Sequence, residues 1–390
     1  MEHTLIPAFK KIFRTPPEVF SFAPGRINII GEHTDYNLGY VLPAALNLRN
    51  YFLLSRRPDD KVSLWAENFK EKEEFSLSEI SFAEDSQWVN YIKGVLWVLE
   101  EKGLELQGVN GLVWGNIPLE AGLSSSAALE VSVVHGLHTL FKLDIEPLEM
   151  VKITRKAENE FVGVQCGIMD QFISVFGQES KALFLDCETL EYKLFPLRMR
   201  EAGLQIVVYE TGVRRELASS EYNRRRHESS QALEVLNKSG VKKYKEATLE
   251  KLEGMKNEMD DVVFRRARHV ISENQRVMDA VLALEKDDFI RLGELILQSH
   301  ESLRDDYEVS CPELDLLYEV AQQFPGCFGA RLTGAGFGGS GIALVQKEGI
   351  TAFKEKLLEE AEKEGFPRPT FNEVEVGEGT QAYLLNEEKG

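Results

Sequence analysis

The first part of the chain alternates apolar runs with turn residues. From residue 17 to residue 54 this pattern predicts several β-strands, and Val62–Ala66 continues it. The apolar, β-branched stretch Ile27–Ile30 predicts a strand that is buried in the core. The charged run Lys70–Glu74 is typical of a solvated loop.

Later in the chain, apolar residues recur at helical spacing. They predict helices at Trp88–Leu99, from Ser124 onward, at Pro147–Val162 and at Ala352–Glu364. Short apolar runs predict strands at Gly111–Trp114, Ala182–Phe184, Tyr192–Phe195, Leu204–Val208, Cys327–Leu332, Ile342–Val345 and Gln381–Leu385. Between residues 216 and 325, long charged amphipathic segments predict a helical region.

A change in composition near residue 200 indicates the domain organisation. At 390 residues the chain exceeds the size at which single hydrophobic cores stop growing, roughly 250–300 residues. We therefore predict an N-terminal domain over residues 1–200 and a C-terminal domain over residues 201–390.

Charge and composition narrow the classes of function. The net charge of −19 argues against a nucleic-acid partner, because basic contacts to phosphate dominate such binding. No apolar run approaches the roughly 20 residues that span a bilayer, and Met1–Thr4 lacks the basic start of a secretory signal. The four cysteines form no C-x-x-C pair, so neither a zinc site nor a disulfide framework is indicated. We expect a cytoplasmic protein with no membrane contact and no obligate protein partner.

A dense polar cluster follows the predicted strand Ile27–Ile30. Glu32, His33, Asp35 and Tyr36 lie within five residues, and no folding requirement explains them. Two carboxylates, an imidazole and a phenol are the hydrogen-bonding groups that hold a polyhydroxylated small molecule. A solvated turn is the alternative, because acidic residues are common in turns. We favour the binding site.

Three consecutive serines lie in the stretch Gly122–Ala128, here called the serine loop, at the start of a predicted helix. A helix N-terminus offers free N–H groups and a partial positive charge to an anion. One serine would suffice as an N-cap, so the surplus of hydroxyls and small residues favours nucleotide phosphates over a helix cap alone. The lysine of a Walker-type loop is missing from this stretch.

Two further stretches carry candidate chemistry. The glycine-rich turn Gly334–Gly339 matches G-x-G-x-x-G, but a predicted strand follows it instead of the helix of a dinucleotide-binding fingerprint. Its glycines indicate that the backbone approaches another group closely. Asp170 is a single carboxylate between apolar residues. Alone it fits a helix N-cap, and beside the other clusters it becomes a candidate base.

Together these stretches resemble the galactokinases, a group within the GHMP family of small-molecule kinases. The resemblance rests on Gly25–Tyr36, on the serine loop, on Leu332–Ser340, on Arg265–His269 and on Ser302–Pro312. It implies an α+β fold of two domains, with mixed sheets and helices and an active site between the domains. It also implies transfer of the γ-phosphoryl group of ATP to the anomeric hydroxyl of D-galactose, with Mg²⁺ as cofactor.

The same resemblance implies roles for individual residues. Asp170 would be the base, and Arg26 the cation that keeps it ionised and steadies the developing charge. The residues that hold the sugar would be Arg26, Glu32, His33, Thr34, Asp35, Gly167, Asp170 and Tyr222. Those that bind ATP would be Trp88, Glu120, Ala121, Gly122, Leu123, Ser124, Ser125 and Ser126, and those that hold Mg²⁺ would be Ser126 and Glu158. Relatives usually have glycine near Glu120, so we expect its carboxylate to point to solvent.

The carboxylate that accompanies Ser126 has two candidates. Glu130 lies four residues on, on the same helix face. Glu158, which the resemblance nominates, lies on a stripe that faces a core, where a carboxylate is costly unless it is paired or binds a metal. Glu130 can instead reach back to cap its own first helical turn. We therefore predict Glu158 as the ligand and a structural role for Glu130.

Two alternatives to catalysis on galactose are open at this point. A sugar- and ATP-binding regulator of the same descent would bind without catalysing, but such relatives lack a Ser-Ala pair that is intact here as Ser126-Ala127. A kinase for a related sugar, such as N-acetylgalactosamine or arabinose, is compatible with the same sugar-holding residues. Whether Asp170 removes a proton or orients the hydroxyl is also open.

Overall fold

The computed structural model describes residues 1–119, 121–213 and 218–385, without the side chains of residues 218 and 219. The α-helices in this part of the chain are α1 (Glu2–Phe13), α2 (Gln87–Glu101), α3 (Ser125–Phe141), α4 (Pro147–Lys156), α5 (Met169–Phe176), α6 (Ala218–Asn237), α7 (Leu249–Gly254), α8 (Asp261–Glu285), α9 (Phe289–Asp305), α10 (Pro312–Gln323) and α11 (Ile350–Glu364). Of the helices described, none is long and apolar enough to cross a bilayer.

The strands form three sheets. They are β1 (Val19–Asn28), β2 (Tyr40–Val41), β3 (Pro43–Arg56), β4 (Lys61–Ala66), β5 (Glu71–Ser76), β6 (Val109–Gly115), β7 (Lys181–Asp186), β8 (Tyr192–Pro196), β9 (Leu204–Glu210), β10 (Cys327–Thr333), β11 (Ser340–Gln346), β12 (Thr370–Val374) and β13 (Gln381–Leu384). The sheet orders are β13-β1-β3-β6-β4-β5, β10-β11-β9-β12 and β2-β7-β8. The pair β4–β6 is parallel, whereas the neighbouring pairs β1–β3 and β3–β6 are antiparallel. The predicted α+β fold with mixed sheets is confirmed.

One of the hydrophobic cores includes the residues that directly precede the polar cluster of the sequence. On the large sheet, Val95 of α2 and Val133 of α3 pack with Phe52 of β3, as the helical spacing of their apolar residues requires. A second core joins Ile27 and Ile30 to residues of β9, α9 and β11. The chain that follows β1 is therefore packed against the C-terminal half.

Most predicted elements are present, and one prediction is wrong. The charged run Lys70–Glu74 is not a loop, because β5 pairs antiparallel with β4 from Glu71 onward. It is an edge strand, and edge strands carry charged side chains that prevent further pairing. Such a strand is as solvated as a loop, so its composition gives no sign of the pairing. Helix α1 and strand β12 were also not predicted.

The predicted helix Pro147–Val162 has two parts. Helix α4 ends at Lys156 and continues directly into a π-helical turn at Ala157–Val162. Turns of this kind are rare and often occur at functional sites. Here the turn contains Glu158, the predicted metal ligand.

The predicted domain boundary after residue 200 stays a prediction. Strand β9 begins soon after it, and the sheet that contains β9 is built from C-terminal residues, as the boundary implies. Strand β13 pairs with β1, with Leu384 opposite Val19, so the C-terminal residues also complete the N-terminal sheet.

Candidate active site

The loop after β1, here called the signature loop (Gly31–Tyr36), has a backbone fixed by close contacts. Gly31 adopts a φ of +105°, and a Cβ there would lie 2.8 Å from the carbonyl oxygen of Tyr40. The hydroxyl of Thr34 lies 2.7 and 2.6 Å from the carbonyl oxygens of Gly31 and Tyr40. These contacts hold the loop in one shape at the end of a buried strand.

A cavity of about 470 Å³ opens beside the signature loop. This volume suits a small-molecule ligand. The lining includes most of the residues predicted to hold a sugar, namely Arg26, Glu32, His33, Asp35, Gly167, Asp170 and Tyr222. Thr34 does not line the cavity, because its side chain is buried and its hydroxyl is engaged by the backbone.

Arg26 and Asp170 form a bidentate ion pair in the wall of the cavity. Nε and Nη2 of Arg26 donate to the two carboxylate oxygens of Asp170 at 2.8 and 2.7 Å. The Arg26 side chain is buried, whereas that of Asp170 is 25% exposed and faces the cavity. The hydroxyl of Ser124 also donates to Asp170. Asp170 therefore contacts both the cavity and the serine loop.

Glu32 is held through one of its two carboxylate oxygens. Oε1 accepts hydrogen bonds from the amide of Gly334 at 2.8 Å and from the hydroxyl of Thr333 at 3.1 Å. The guanidinium of Arg331 lies 2.7 Å from the same oxygen. Within the described parts of the chain, no donor reaches Oε2. Glu32 thus lines the cavity with one carboxylate oxygen available to a ligand.

His33 has both ring nitrogens engaged by the protein. Nε2 lies 3.2 Å from the carbonyl oxygen of Ala335 and Nδ1 lies 2.8 Å from the hydroxyl of Tyr36. A carbonyl only accepts, so Nε2 carries the hydrogen and Nδ1 accepts from Tyr36. Burial lowers the pKa of His33 to about 3, so the ring is neutral. The ring of Tyr222 packs against it with 5.7 Å between centroids.

Asp35 is a half-buried carboxylate close to a glycine. Burial, and then the charge of Asp170, raise the pKa of Asp35 to about 6. A Cβ on Gly167 would lie 1.7 Å from Oδ2 of Asp35. The position of the Asp35 carboxylate in the cavity therefore requires glycine at residue 167.

The serine loop leaves the start of α3 open. Ser124 is the N-cap of this helix, with a φ of +61°, but its side chain makes no capping hydrogen bond. Its hydroxyl is directed to Asp170 instead. The side chains of Ala121 and Leu123 are buried in the protein. A ligand at this part of the loop would therefore contact its backbone. The first amides of α3 are thus available to an anion.

A second cavity, of about 140 Å³, adjoins the serine loop. Ser126 lines it together with three aromatic residues, which are Phe69, Trp88 and Tyr91. The indole nitrogen of Trp88 donates to Glu71 at 3.0 Å. The structure therefore brings Trp88 next to the serines, as the predicted role requires. Glu120 lies outside the described residues.

Glu158 lies beside Ser126 at the buried end of the site. Its Oε1 accepts from the Ser126 hydroxyl at 3.0 Å, and its Oε2 accepts from the side-chain amide of Gln171 at 2.6 Å. Cys166 lies 3.5 Å from Oε2. Burial, and then the charge of Asp170, raise the pKa of Glu158 to about 7. Gln171 and Cys166 were not predicted as site residues. Their position within four residues of Asp170 in the chain could have indicated them.

The prediction that Glu130 caps the first turn of α3 is wrong. Glu130 is completely buried, and its carboxylate oxygens receive no hydrogen bond of normal geometry from the described residues. Burial, and then the charge of Glu158, raise the pKa of Glu130 well above its usual range. The Glu130 side chain is directed into the interior near Glu158. Helix periodicity predicts that a residue is buried, but it does not show which other buried groups lie beside that residue.

The glycine-rich turn approaches both loops of the site, as its glycines predicted. The amide of Gly334 donates to Glu32, and the carbonyl of Ala335 accepts from His33. A Cβ on Gly334 would lie 2.9 Å from the carbonyl oxygen of Gly122 in the serine loop. The contacts of the individual residues were not predicted, because they join segments about 300 residues apart.

Curated relatives match nearly the whole chain, and three family models match parts of it. The galactokinase galactose-binding signature matches residues 7–56, the GHMP kinases N terminal domain residues 90–178 and the GHMP kinases C terminal domain residues 280–363. A galactokinase of Staphylococcus carnosus is 46% identical over 381 residues, with 96% of this chain and 97% of that protein covered. A galactokinase of Thermotoga petrophila is 45% identical over 359 residues, with 92% and 98% covered.

Solved structures agree with these matches. The crystal structure of Lactococcus lactis galactokinase complexed with galactose superposes with a TM-score of 0.93 and 40% identity, and covers 97% of this chain and 99% of that chain. A mevalonate kinase of Methanococcus jannaschii shares the fold, with a TM-score of 0.65, 18% identity and coverage of 93% and 99%. The predicted GHMP-kinase fold and ATP-dependent sugar kinase activity are confirmed. The chain belongs to the galactokinase family of GHMP kinases.

Proposed function

We infer that this protein transfers the γ-phosphoryl group of ATP to the anomeric hydroxyl of D-galactose. The position of Asp170 is the observation that carries the proposal. Its carboxylate faces the polar cavity and also accepts a hydrogen bond from Ser124 of the serine loop. The candidate sites for sugar and phosphates thus meet at one carboxylate, as direct transfer between two bound substrates requires.

Asp170 and Arg26 form the proposed reaction centre. The anomeric hydroxyl donates to Asp170, and both removal of its proton and orientation of its oxygen use this contact. Arg26 stays bonded to both oxygens of the carboxylate. Its Nη1 also donates to the carbonyl oxygen of Gly122 in the serine loop. The guanidinium therefore lies where it offsets the charge that develops during phosphoryl transfer.

The proposed sugar contacts come from the remaining cavity wall. Oε2 of Glu32 and the carboxylate of Asp35 accept hydrogen bonds from ring hydroxyls, and Tyr222 closes the wall. Because both nitrogens of His33 are engaged by the protein, we assign the imidazole to the shape of the wall. Thr34 shapes the signature loop through its backbone contacts.

The nucleotide is proposed to lie along the serine loop. Its phosphates accept hydrogen bonds from the open first turn of α3, where the helix dipole favours negative charge. Its adenine occupies the cavity of about 140 Å³ that Trp88 lines. The backbone of residues 121–126 provides the contacts between these two ends.

We propose that Mg²⁺ binds to Ser126 and Glu158. Among the described residues, no group of three or more His, Cys, Asp or Glu side chains forms a metal site. Mg²⁺ suits a pair of protein oxygen ligands, since phosphate oxygens and water complete its shell. The residues fit such an ion, because Glu158 is buried and has no cationic side chain as partner in the described chain. When bound, the ion neutralises charge on the phosphates.

An ADP-release assay with a panel of sugars tests the proposal. Galactose is expected to give the highest kcat/KM among galactose, glucose, N-acetylgalactosamine and arabinose. Glucose should react poorly, because an inverted hydroxyl leaves the polar groups of the cavity unpaired. Phosphorus NMR of the product identifies the phosphorylated carbon. Binding of galactose without ADP release would favour a regulator, and a faster reaction with another sugar would replace galactose as the substrate.

A further inference from the structure

The sugar-facing carboxylate Glu32 is held by the C-terminal half of the chain. The donors to its Oε1 are the hydroxyl of Thr333 and the amide of Gly334, and the guanidinium of Arg331 lies 2.7 Å from the same oxygen as an ion-pair partner. These residues belong to β10 and to the start of the glycine-rich turn. A carboxylate oxygen accepts about two hydrogen bonds, and both are made here beside a cation, so ligand contact falls to Oε2.

The hydroxyl of Thr333 has a defined direction. The backbone amide of Asn28 donates to Oγ1 of Thr333 at 3.3 Å, so the hydroxyl accepts on that side. Its own hydrogen is then directed to Oε1 of Glu32 at 3.1 Å. Thr333 is 1% exposed, and water therefore does not replace this hydrogen bond.

A second carboxylate fixes the backbone next to Glu32. Oε1 of Glu273, on α8, accepts from the amide of Gly31 at 2.9 Å and from the hydroxyl of Ser299 at 2.7 Å. Arg331 lies between the two carboxylates, 2.7 Å from Glu32 and 3.8 Å from Glu273. Thus α8 holds the backbone of the signature loop while β10 holds the side chain.

We propose that Thr333 is a positioning residue for sugar recognition, which orients Glu32 so that Oε2 accepts one hydroxyl of the sugar. The proposal rests on the proposed function, because the ligand is taken to be galactose. Thr333 does not touch the sugar in this account. It acts through Glu32, and its loss should therefore weaken the contact with a single sugar hydroxyl.

The test combines Thr333→Val with deoxy sugars. Galactose and its 2-, 3-, 4- and 6-deoxy analogues are compared in steady-state kinetics, and galactose binding is measured by calorimetry. Thr333→Val should raise KM and Kd for galactose about tenfold, as for loss of a hydrogen bond to a buried charged group. The KM for MgATP should stay unchanged. For the analogue that lacks the hydroxyl bound by Glu32, the native and variant enzymes should have the same KM.

Matched variants separate positioning from folding. Thr333→Ser keeps the hydroxyl and should restore galactose KM to within about twofold of the native value. Thr154→Val removes another buried hydroxyl, which bonds within α4, and should leave all the kinetic constants unchanged. Thr333→Ala repeats the test without either γ-methyl group of valine, and thermal unfolding shows that each variant is folded.

The results that would overturn the proposal are distinct from failure of the proposed function. Equal losses with every sugar, an equal rise in KM for MgATP, or no change with galactose would each show that Thr333 does not act through one Glu32 contact. A native protein that releases no ADP with galactose would instead contradict the proposed function, and this measurement comes first.

Discussion

Three carboxylates of this site, Asp170, Glu158 and Glu130, fall into two groups with different partners. Asp170 is bonded through both oxygens to Arg26, and its side chain is partly open to the cavity. Glu158 and Glu130 are buried close by, and neither has a cationic side chain as partner among the described residues. The guanidinium of Arg26 therefore balances the charge of Asp170, whereas no cationic side chain of the described residues balances a charge on Glu158 or Glu130.

This difference suits the two groups to different functions, which are contact with substrate and binding of a metal ion. A carboxylate bonded to an arginine keeps a fixed orientation and contacts substrate without a metal. A buried carboxylate without a cation binds a proton at neutral pH or binds a metal ion, and the pKa of Glu158 is accordingly raised to about 7. This difference supports our proposal that Asp170 handles the proton and Glu158 binds the metal.

The largest expected effect follows from removing the charge of Asp170. Asp170→Asn should lower kcat by at least about 10²-fold, as for loss of a positioned base, while galactose still binds. Steady-state kinetics and galactose calorimetry check both parts. A near-normal kcat would show that Asp170 has only a structural role in the first turn of α5, and would contradict its proposed role as the base.

Stability should also distinguish the two groups. Asp170→Asn leaves the buried cation of Arg26 without its carboxylate and should lower the free energy of unfolding by about 2 kcal/mol, less than for a fully buried pair because Asp170 is 25% exposed. Glu130→Gln replaces a buried carboxyl group that accepts no hydrogen bond of normal geometry, and should change the free energy of unfolding by less than about 0.5 kcal/mol. Urea unfolding without Mg²⁺ measures both values, and equal losses would contradict the comparison.

A smaller effect on activity is expected from a substitution that displaces the Asp35 carboxylate. The Cβ introduced by Gly167→Ala would lie 1.7 Å from Oδ2 of Asp35, so the carboxylate must move. Galactose KM should rise about tenfold, because the displaced carboxylate no longer meets its hydroxyl. Gly254→Ala is the control, since its new Cβ meets no atom within 4 Å. An unchanged KM in Gly167→Ala would remove Asp35 from the sugar contacts.

The pH dependence of stability should carry the smallest signal. The pKa of Asp35 rises from 3.8 to about 6 on folding, so the folded state holds a proton that the unfolded state has lost within this window. Its contribution to stability is complete below the unfolded pKa and is lost as pH rises through about 6. In urea unfolding, Asp35→Asn should make this fall shallower between these two pKa values, leaving the part due to Glu158 and Glu130. An identical slope in both proteins would contradict the assignment.

The sequence indicated the elements of the fold where apolar periodicity was strong. The stripes of α2 and α3 and the run Ile27–Ile30 lie in buried cores as predicted. Strand β5 was missed because an exposed edge strand and a loop have the same charged composition. Strand β13 was predicted, but its pairing with β1 depends on tertiary packing that local pattern does not contain.

The candidate site was predictable as a set of segments and not as a set of contacts. The signature loop, the serine loop and Asp170 stood out because polar residues interrupt apolar runs. The signature loop and Asp170 line the cavity, and Ser124 of the serine loop donates to Asp170. The engagement of Nε2 of His33 and of Oε1 of Glu32 depends on β10 and the glycine-rich turn. Such long-range hydrogen bonds decide which groups stay free for a ligand, and spacing along the chain does not reveal them.

Calorimetric titration of Mg²⁺ into the protein saturated with ADP tests the central comparison most directly. We predict that Glu158→Gln weakens Mg²⁺ binding at least about tenfold. Asp170→Asn and Glu130→Gln should leave the Kd for Mg²⁺ within about twofold of the native value. Native Mg²⁺ affinity in Glu158→Gln, or its loss in Glu130→Gln, would contradict the assignment of the uncompensated carboxylate to the metal.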